Sequence, residues 1–184
     1  MSTLTRRSFL AAATASTAAC GSVGLNTPTA ASIDRDVAVS KELLFNSVAG
    51  TRSLSQRSAG MLVIPRILEG GFLVSGAYGE GALQVGDATV DYISMAAAAI
   101  GLQLGVQTFA QALFFLTEES LAAFRSTDGW ELGVDAEAVA FEDGLGFGTS
   151  TTSLSRPVVQ LLYGQRGLIV GASLEGAKYS RLIR

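Results

Sequence analysis

Ile100-Gly101-Leu102-Gln103-Leu104-Gly105-Val106-Gln107 decides how this chain folds. The stretch sits inside residues 95–116, a run with no charged side chain and enough length to cross a bilayer as a helix. Gln103, Gln107 and Gln111 recur at helical spacing. The apolar residues, however, alternate: Ile100, Leu102, Leu104 and Val106 are separated by Gly101, Gln103 and Gly105, the period of two that a strand requires. Two glycines and three glutamines would also make a poor spanning helix. The run is expected to form consecutive strands.

Outward from it, the same period continues. Residues 61–64 read as a short buried strand ended by Pro65, and 71–77 and 81–85 as further strands. Gly86-Asp87 is a hairpin turn leading into 90–94. Later strands are expected at 137–141, 145–149, 158–163 and 168–174. Before the sheet, Ser32 reads as an N-cap with Asp34 and Asp36 in the first turn. Ile33, Val37, Leu44 and Val48 share one face of a helix over 33–48. A second helix is expected over 51–58. Thr117 caps a short one over 118–125, with Leu121 and Phe124 inward. Gly144-x-Gly146-x-Gly148 and Gly76-x-x-Gly79-x-Gly81 lack the order of nucleotide-binding loops, and read as places where a curved sheet needs no side chain. Trp130 and Tyr78 read as core or loop anchors.

The chain contains no histidine. That removes Ser-His-Asp and Cys-His nucleophilic systems, histidine general bases and most zinc sites. Lys41 and Lys178 are the only lysines, and neither sits in an S-x-x-K arrangement. Glu118-Glu119 and Glu142-Asp143 read as solvated charges rather than a hydrolytic pair. No enzyme activity, cofactor or metal is expected; a carboxylate-dependent hydrolase is a distant third reading.

The N-terminus reads as an export signal. Arg6-Arg7 with Phe9-Leu10 forms a twin-arginine motif, and a weakly apolar stretch leads to Thr17-Ala18-Ala19-Cys20, a lipoprotein cleavage box. Cys20 is the only cysteine, so it forms no internal disulfide, and thioether attachment to diacylglycerol would anchor the mature chain. Thr17 stands where such boxes carry an aliphatic residue. Cleavage after Ala19 by the ordinary signal peptidase is therefore the alternative, giving a soluble periplasmic or secreted protein. Gly21, in place of the Asp of inner-membrane retention, points to the periplasmic face of the outer membrane. The expected organisation is a signal peptide over 1–19, a tether over 20–31 and one domain over 32–184. Loss of Arg6 and Arg7 lowers 13 basic residues to 11 against 16 acidic ones, a net charge of −5, which argues against nucleic-acid binding.

Six stretches carry a resemblance: Ala59-Gly-Met-Leu-Val-Ile-Pro65, Gly76-Ala-Tyr-Gly-Glu-Gly81, Gly101-Leu-Gln-Leu-Gly-Val-Gln107, Gly129-Trp-Glu-Leu-Gly-Val-Asp135, Tyr163-Gly-Gln-Arg-Gly-Leu168 and Ser173-Leu-Glu-Gly176. In this order, over about residues 40–184, they resemble the SYLF domain family, in its bacterial lipoprotein branch. The resemblance implies an α+β fold, a strongly curved antiparallel sheet or partial barrel with N-terminal helices. Eukaryotic members bind phosphoinositide-containing membranes or bundle actin. In an envelope, lipid binding is the part that carries over.

Two basic stretches fit that expectation in an acidic chain: Lys41, Arg52, Arg57 and Arg66, and then Arg166, Lys178, Arg181 and Arg184. Arg and Lys near an anionic surface contribute roughly 1 kcal/mol each. The expected function is non-enzymatic binding of anionic phospholipid or a membrane surface by an exported, lipid-anchored protein. The alternatives are a structural envelope protein that self-associates as a homo-oligomer, and clusters that are merely solvated faces with the helix packed on the sheet.

Overall fold

A computed structural model of the protein describes residues 28–132, 138–141, 157–167 and 176–184. The chain runs as two helices, α1 (Ala30–Ser47) and α2 (Thr51–Arg57), then two long strands, β1 (Gly60–Val85) and β2 (Ala88–Phe115). Helix α3 (Glu118–Ser126) follows, then β3 (Trp130–Glu131), β4 (Ala138–Phe141), β5 (Val158–Gly167) and β6 (Lys178–Leu182). The α+β class and the strongly curved sheet are as expected.

The uncharged run is strand as far as Phe115, with a register irregularity between Ile100 and Leu104. Gln107 and Gln111 share one face of β2 and are buried there. Gln107 donates to Glu69 Oε2 at 2.7 Å, and Gln111 bonds the Tyr179 hydroxyl at 2.8 Å. Their helical spacing is a coincidence of a four-residue interval, which is also even.

Several expected strands merge into one. β1 passes through Pro65 instead of ending there, with a register irregularity between Ile64 and Ile67. Among the described residues β1 hydrogen-bonds along one edge only, to β2, so a residue without an N–H is tolerated at a bulge on its open side. The two strands pair antiparallel from Gly60–Phe115 to Val85–Ala88. They join at Gly86-Asp87, a two-residue turn whose first position has φ of 61°, natural for glycine.

β2 shares its other edge between β6, at Tyr92 to Ala96, and β5, at Gln107 to Phe115. The sheet order is β3-β6-β2-β5-β4 with β1 beside β2, and the β4–β5 pair is parallel, an exception to the expected antiparallel pattern. β3 and β6 were not expected from the sequence. The expected strands at 145–149 and 168–174 lie outside the described residues.

The sheet carries a core on each face. On the inner face Leu62, Ile64, Ile67, Phe109 and Leu113 close over Leu121 and Phe124 of α3. There Phe115, Phe124, Trp130 and Tyr179 cluster with centroids 4.8–6.5 Å apart, the Phe115–Phe124 pair tilted and the other pairs edge to face. Trp130 is thus a core anchor, whereas Tyr78 is 51% exposed. On the outer face Met61, Val63, Ala112, Phe114 and Leu161 receive Ile33, Val37, Leu44 and Val48, the helical stripe read from the sequence.

Helix α1 starts earlier than expected. Thr29 is the N-cap, its hydroxyl accepting from the Ser32 amide at 3.2 Å, because Ala30 and Ala31 are good helix formers that extend the helix past Ser32. Asp34 lies within α1, where its carboxylate accepts from Thr89 and Tyr92 at 2.9 and 2.8 Å and ties the helix to β2. Thr117 caps α3 as expected. Among the described residues no helix is long and apolar enough to cross a membrane.

Candidate functional site

Most of the basic residues named from the sequence are engaged with neighbours. Lys41 donates to Gln84 Oε1 at 2.9 Å and lies 3.9 Å from Asp87, so it fastens α1 to the hairpin turn. Arg52 meets Glu42 at 3.0 Å and lies over the Phe45 ring at 4.6 Å. Arg57 donates to the Ser53 carbonyl of its own helix at 3.3 Å. Lys178 faces Glu131 at 3.7 Å, and Arg184 meets Glu80 at 2.7 Å. Arg181 and Arg125 share the Asp91 carboxylate, and Arg181 also donates to the Arg125 carbonyl at 2.7 Å.

Arg66 and Arg166 differ. Both are exposed, and among the described residues neither has an ion pair. Although far apart in the chain, they line one groove of about 500 Å³ between α1 and the outer face of the sheet. Val39 and Leu43 form its helical wall, with Pro65, Phe109 and Ala110 on the sheet side. Val39 is 68% and Leu43 47% exposed, unusual for aliphatic side chains on a packed helix. Asp36 is the acidic residue along the groove. Beneath it, the Ser40 hydroxyl and the Tyr163 phenol are 2.8 Å apart in a buried hydrogen bond that holds α1 to β5.

The sheet register explains the juxtaposition. Leu68 of β1 pairs with Thr108 of β2, which pairs with Arg166 of β5. A three-strand row thus sets Arg166 two strands from Leu68, on the groove that Arg66 also lines. Val39 and Leu43 went unnoticed in the sequence, although their four-residue spacing on α1, off the Ile33–Val37–Leu44 stripe, was a signal for a second apolar face. Arg6, Arg7, Phe9, Leu10 and Cys20 lie outside the described residues.

Residues 96–181 match the family model of Ysc84, described as Las17-binding protein actin regulator. That stretch is similar to the Ysc84, or SYLF, family. No curated protein matches the chain. The Ysc84 match takes in the later part of β2, α3 and the strands through Arg181, and so includes Thr108 and Arg166. The opposing wall, α1 and the start of β1 with Arg66, precedes it.

Proposed function

We propose that this SYLF domain is a non-enzymatic binding module that engages anionic phospholipid headgroups at the α1–sheet groove, on a chain exported by the twin-arginine route and anchored through Cys20 at the outer membrane. The observation that carries the reading is the pair of exposed arginines, Arg66 and Arg166, without carboxylate partners among the described residues and set against apolar groove walls. A chain of net negative charge is repelled by an anionic bilayer unless free cations face it together. Screening over about 8 Å at physiological salt makes only the groups near the surface count. Arg52, Lys178, Arg181 and Arg184 already have carboxylates within 4 Å and contribute less new attraction. The acyl anchor would hold the domain at high effective concentration beside the membrane. The lipid- and actin-binding character of the Ysc84 family favours a binding role over catalysis, and an envelope offers the lipid but not actin.

Flotation with phosphatidylglycerol vesicles tests this, using the full chain with Cys20→Ala so that no acyl group contributes. Arg66→Glu with Arg166→Glu is expected to reduce flotation at least tenfold, with the effect shrinking as salt rises. Arg52→Glu with Arg57→Glu is expected to change it by less than threefold. Equal flotation of wild type and the Arg66/Arg166 double variant would sink the proposal.

A further inference from the structure

Beyond the arginines, the outer face of the sheet continues into the middle of the β1–β2 hairpin, where large side chains are exposed among the described residues. The helices cover Met61, Val63, Ala112 and Phe114, but not the positions further along. Leu68 is 54%, Val106 62% and Tyr78 51% exposed, three large side chains together. They rim a depression of about 340 Å³ whose floor includes Gly70 and Gly76. Leu68 follows Arg66 at the next outward position of β1, and Val106 pairs with Gly70 on the neighbouring strand.

The charge pattern of this region is one-sided. No charged residue occurs over 70–79 or 92–117, so two paired strands cross here without a charge. The nearest carboxylate on β1 before it, Glu69, is turned inward, 5% exposed and bonded to Gln107. The nearest after it, Glu80, is neutralised by Arg184 and accepts from the Tyr78 hydroxyl at 2.7 Å. Going along the face, unpaired arginines give way to bare aliphatic side chains, and these to a tyrosine with its hydroxyl tied at the border. A bilayer offers a counterpart to each: phosphate for the cations, acyl chain for the apolar body and the interface between them for the aromatic rim.

Resting on the lipid-binding reading, we infer that the mid-hairpin face formed by Leu68, Val106 and Tyr78 inserts into the acyl region of an anionic bilayer while Arg66 and Arg166 hold the phosphates. The occupant is a lipid surface because the two arginines beside the patch, Arg66 and Arg166, have no ion pair among the described residues, and Asp36, the one carboxylate on their groove, leaves that margin net cationic. A patch made for a second copy of this acidic chain would gain nothing from two unpaired arginines at its margin unless a carboxylate met them. The glycine-floored depression leaves room for part of an acyl chain between Leu68 and Tyr78. The helix thus serves as a wall beside the contact, and the sheet makes the penetration.

Tryptophan placement tests this directly, because Trp130 is the only native tryptophan and is buried at 1% exposure, a constant background. Leu68→Trp and Val106→Trp, each in the full chain with Cys20→Ala, are mixed with phosphatidylglycerol vesicles carrying brominated acyl chains. Both are expected to shift to the blue and lose at least a third of the added emission. Ala122→Trp, on the exposed side of α3, is expected to do neither. A second variant, Leu68→Glu with Val106→Glu, should lower vesicle partitioning at least tenfold while leaving Tm nearly unchanged. Vesicle binding without quenching at 68 and 106 overturns the insertion and leaves the headgroup reading standing. Loss of vesicle binding in all forms overturns both. Concentration-dependent association abolished by the Leu68/Val106 variant, with no quenching, assigns the face to a second copy and also overturns it.

Discussion

Gly81 lies against the carbonyl of Val63 in the same strand, so close that a Cβ built on Gly81 would also fall 2.8 Å from the Ile64 Cα. Gly79 is placed similarly, its Cβ position 2.7 Å from the Arg66 carbonyl oxygen. The hairpin therefore rolls until the two halves of β1 meet.

Gly81→Ala forces backbone against backbone and is expected to destabilise the domain by about 1–3 kcal/mol. Gly76→Ala meets only the Ala97 carbonyl oxygen at 4.0 Å, and is expected to stay within about 0.5 kcal/mol of wild type. Urea unfolding of the two variants makes the comparison. Equal stability would mean that the strand halves do not touch.

The Ser40–Tyr163 hydrogen bond fixes the depth of the groove. A double-mutant cycle with Ser40→Ala and Tyr163→Phe is expected to give a coupling of about 0.5–1.5 kcal/mol. A coupling indistinguishable from zero would place α1 elsewhere on the sheet.

Tyr78 supplies a pH signature. Partial desolvation of its half-exposed ring, the hydrogen bond to Glu80 and that carboxylate's charge raise its phenol to about 12, with Arg184 opposing. A folded value above the unfolded one of about 10 means stability present below pH 10 and lost as pH climbs toward 12. Ultraviolet titration of wild type against Tyr78→Phe should assign a phenol ionising near 12 to this residue. A difference spectrum centred near 10 would remove the Glu80 contact.

Export and anchoring have their own measurements. Arg6→Lys with Arg7→Lys is expected to leave precursor in the cytoplasm, and undiminished export would refute the twin-arginine route. Mass spectrometry of the mature chain is expected to find an acylated Cys20 at the N-terminus. Several acyl chains, at about 0.8 kcal/mol per buried methylene, make attachment effectively permanent. A free N-terminus elsewhere would mean that Thr17 redirects cleavage.

The sequence alone was enough for whatever depends on neighbours along the chain. Alternation over 100–107 chose strand over spanning helix, Gly86-Asp87 located the hairpin turn, and Thr117 started α3, because period and caps are set within a few residues. It also carried the absence of histidine, which bounds the chemistry in any fold. Tertiary structure decided the rest. Pro65 read as a strand end because a local rule does not know that β1 has an open edge there. The basic stretches read as two patches because sequence proximity was their only measure. In three dimensions Asp91 and Glu80 take Arg181 and Arg184, while Arg66 and Arg166, a hundred residues apart, are brought to one groove by a row of pairs across β1, β2 and β5. Charge pairing and sheet register act through space, so only the folded chain determines which cations remain free to meet a ligand.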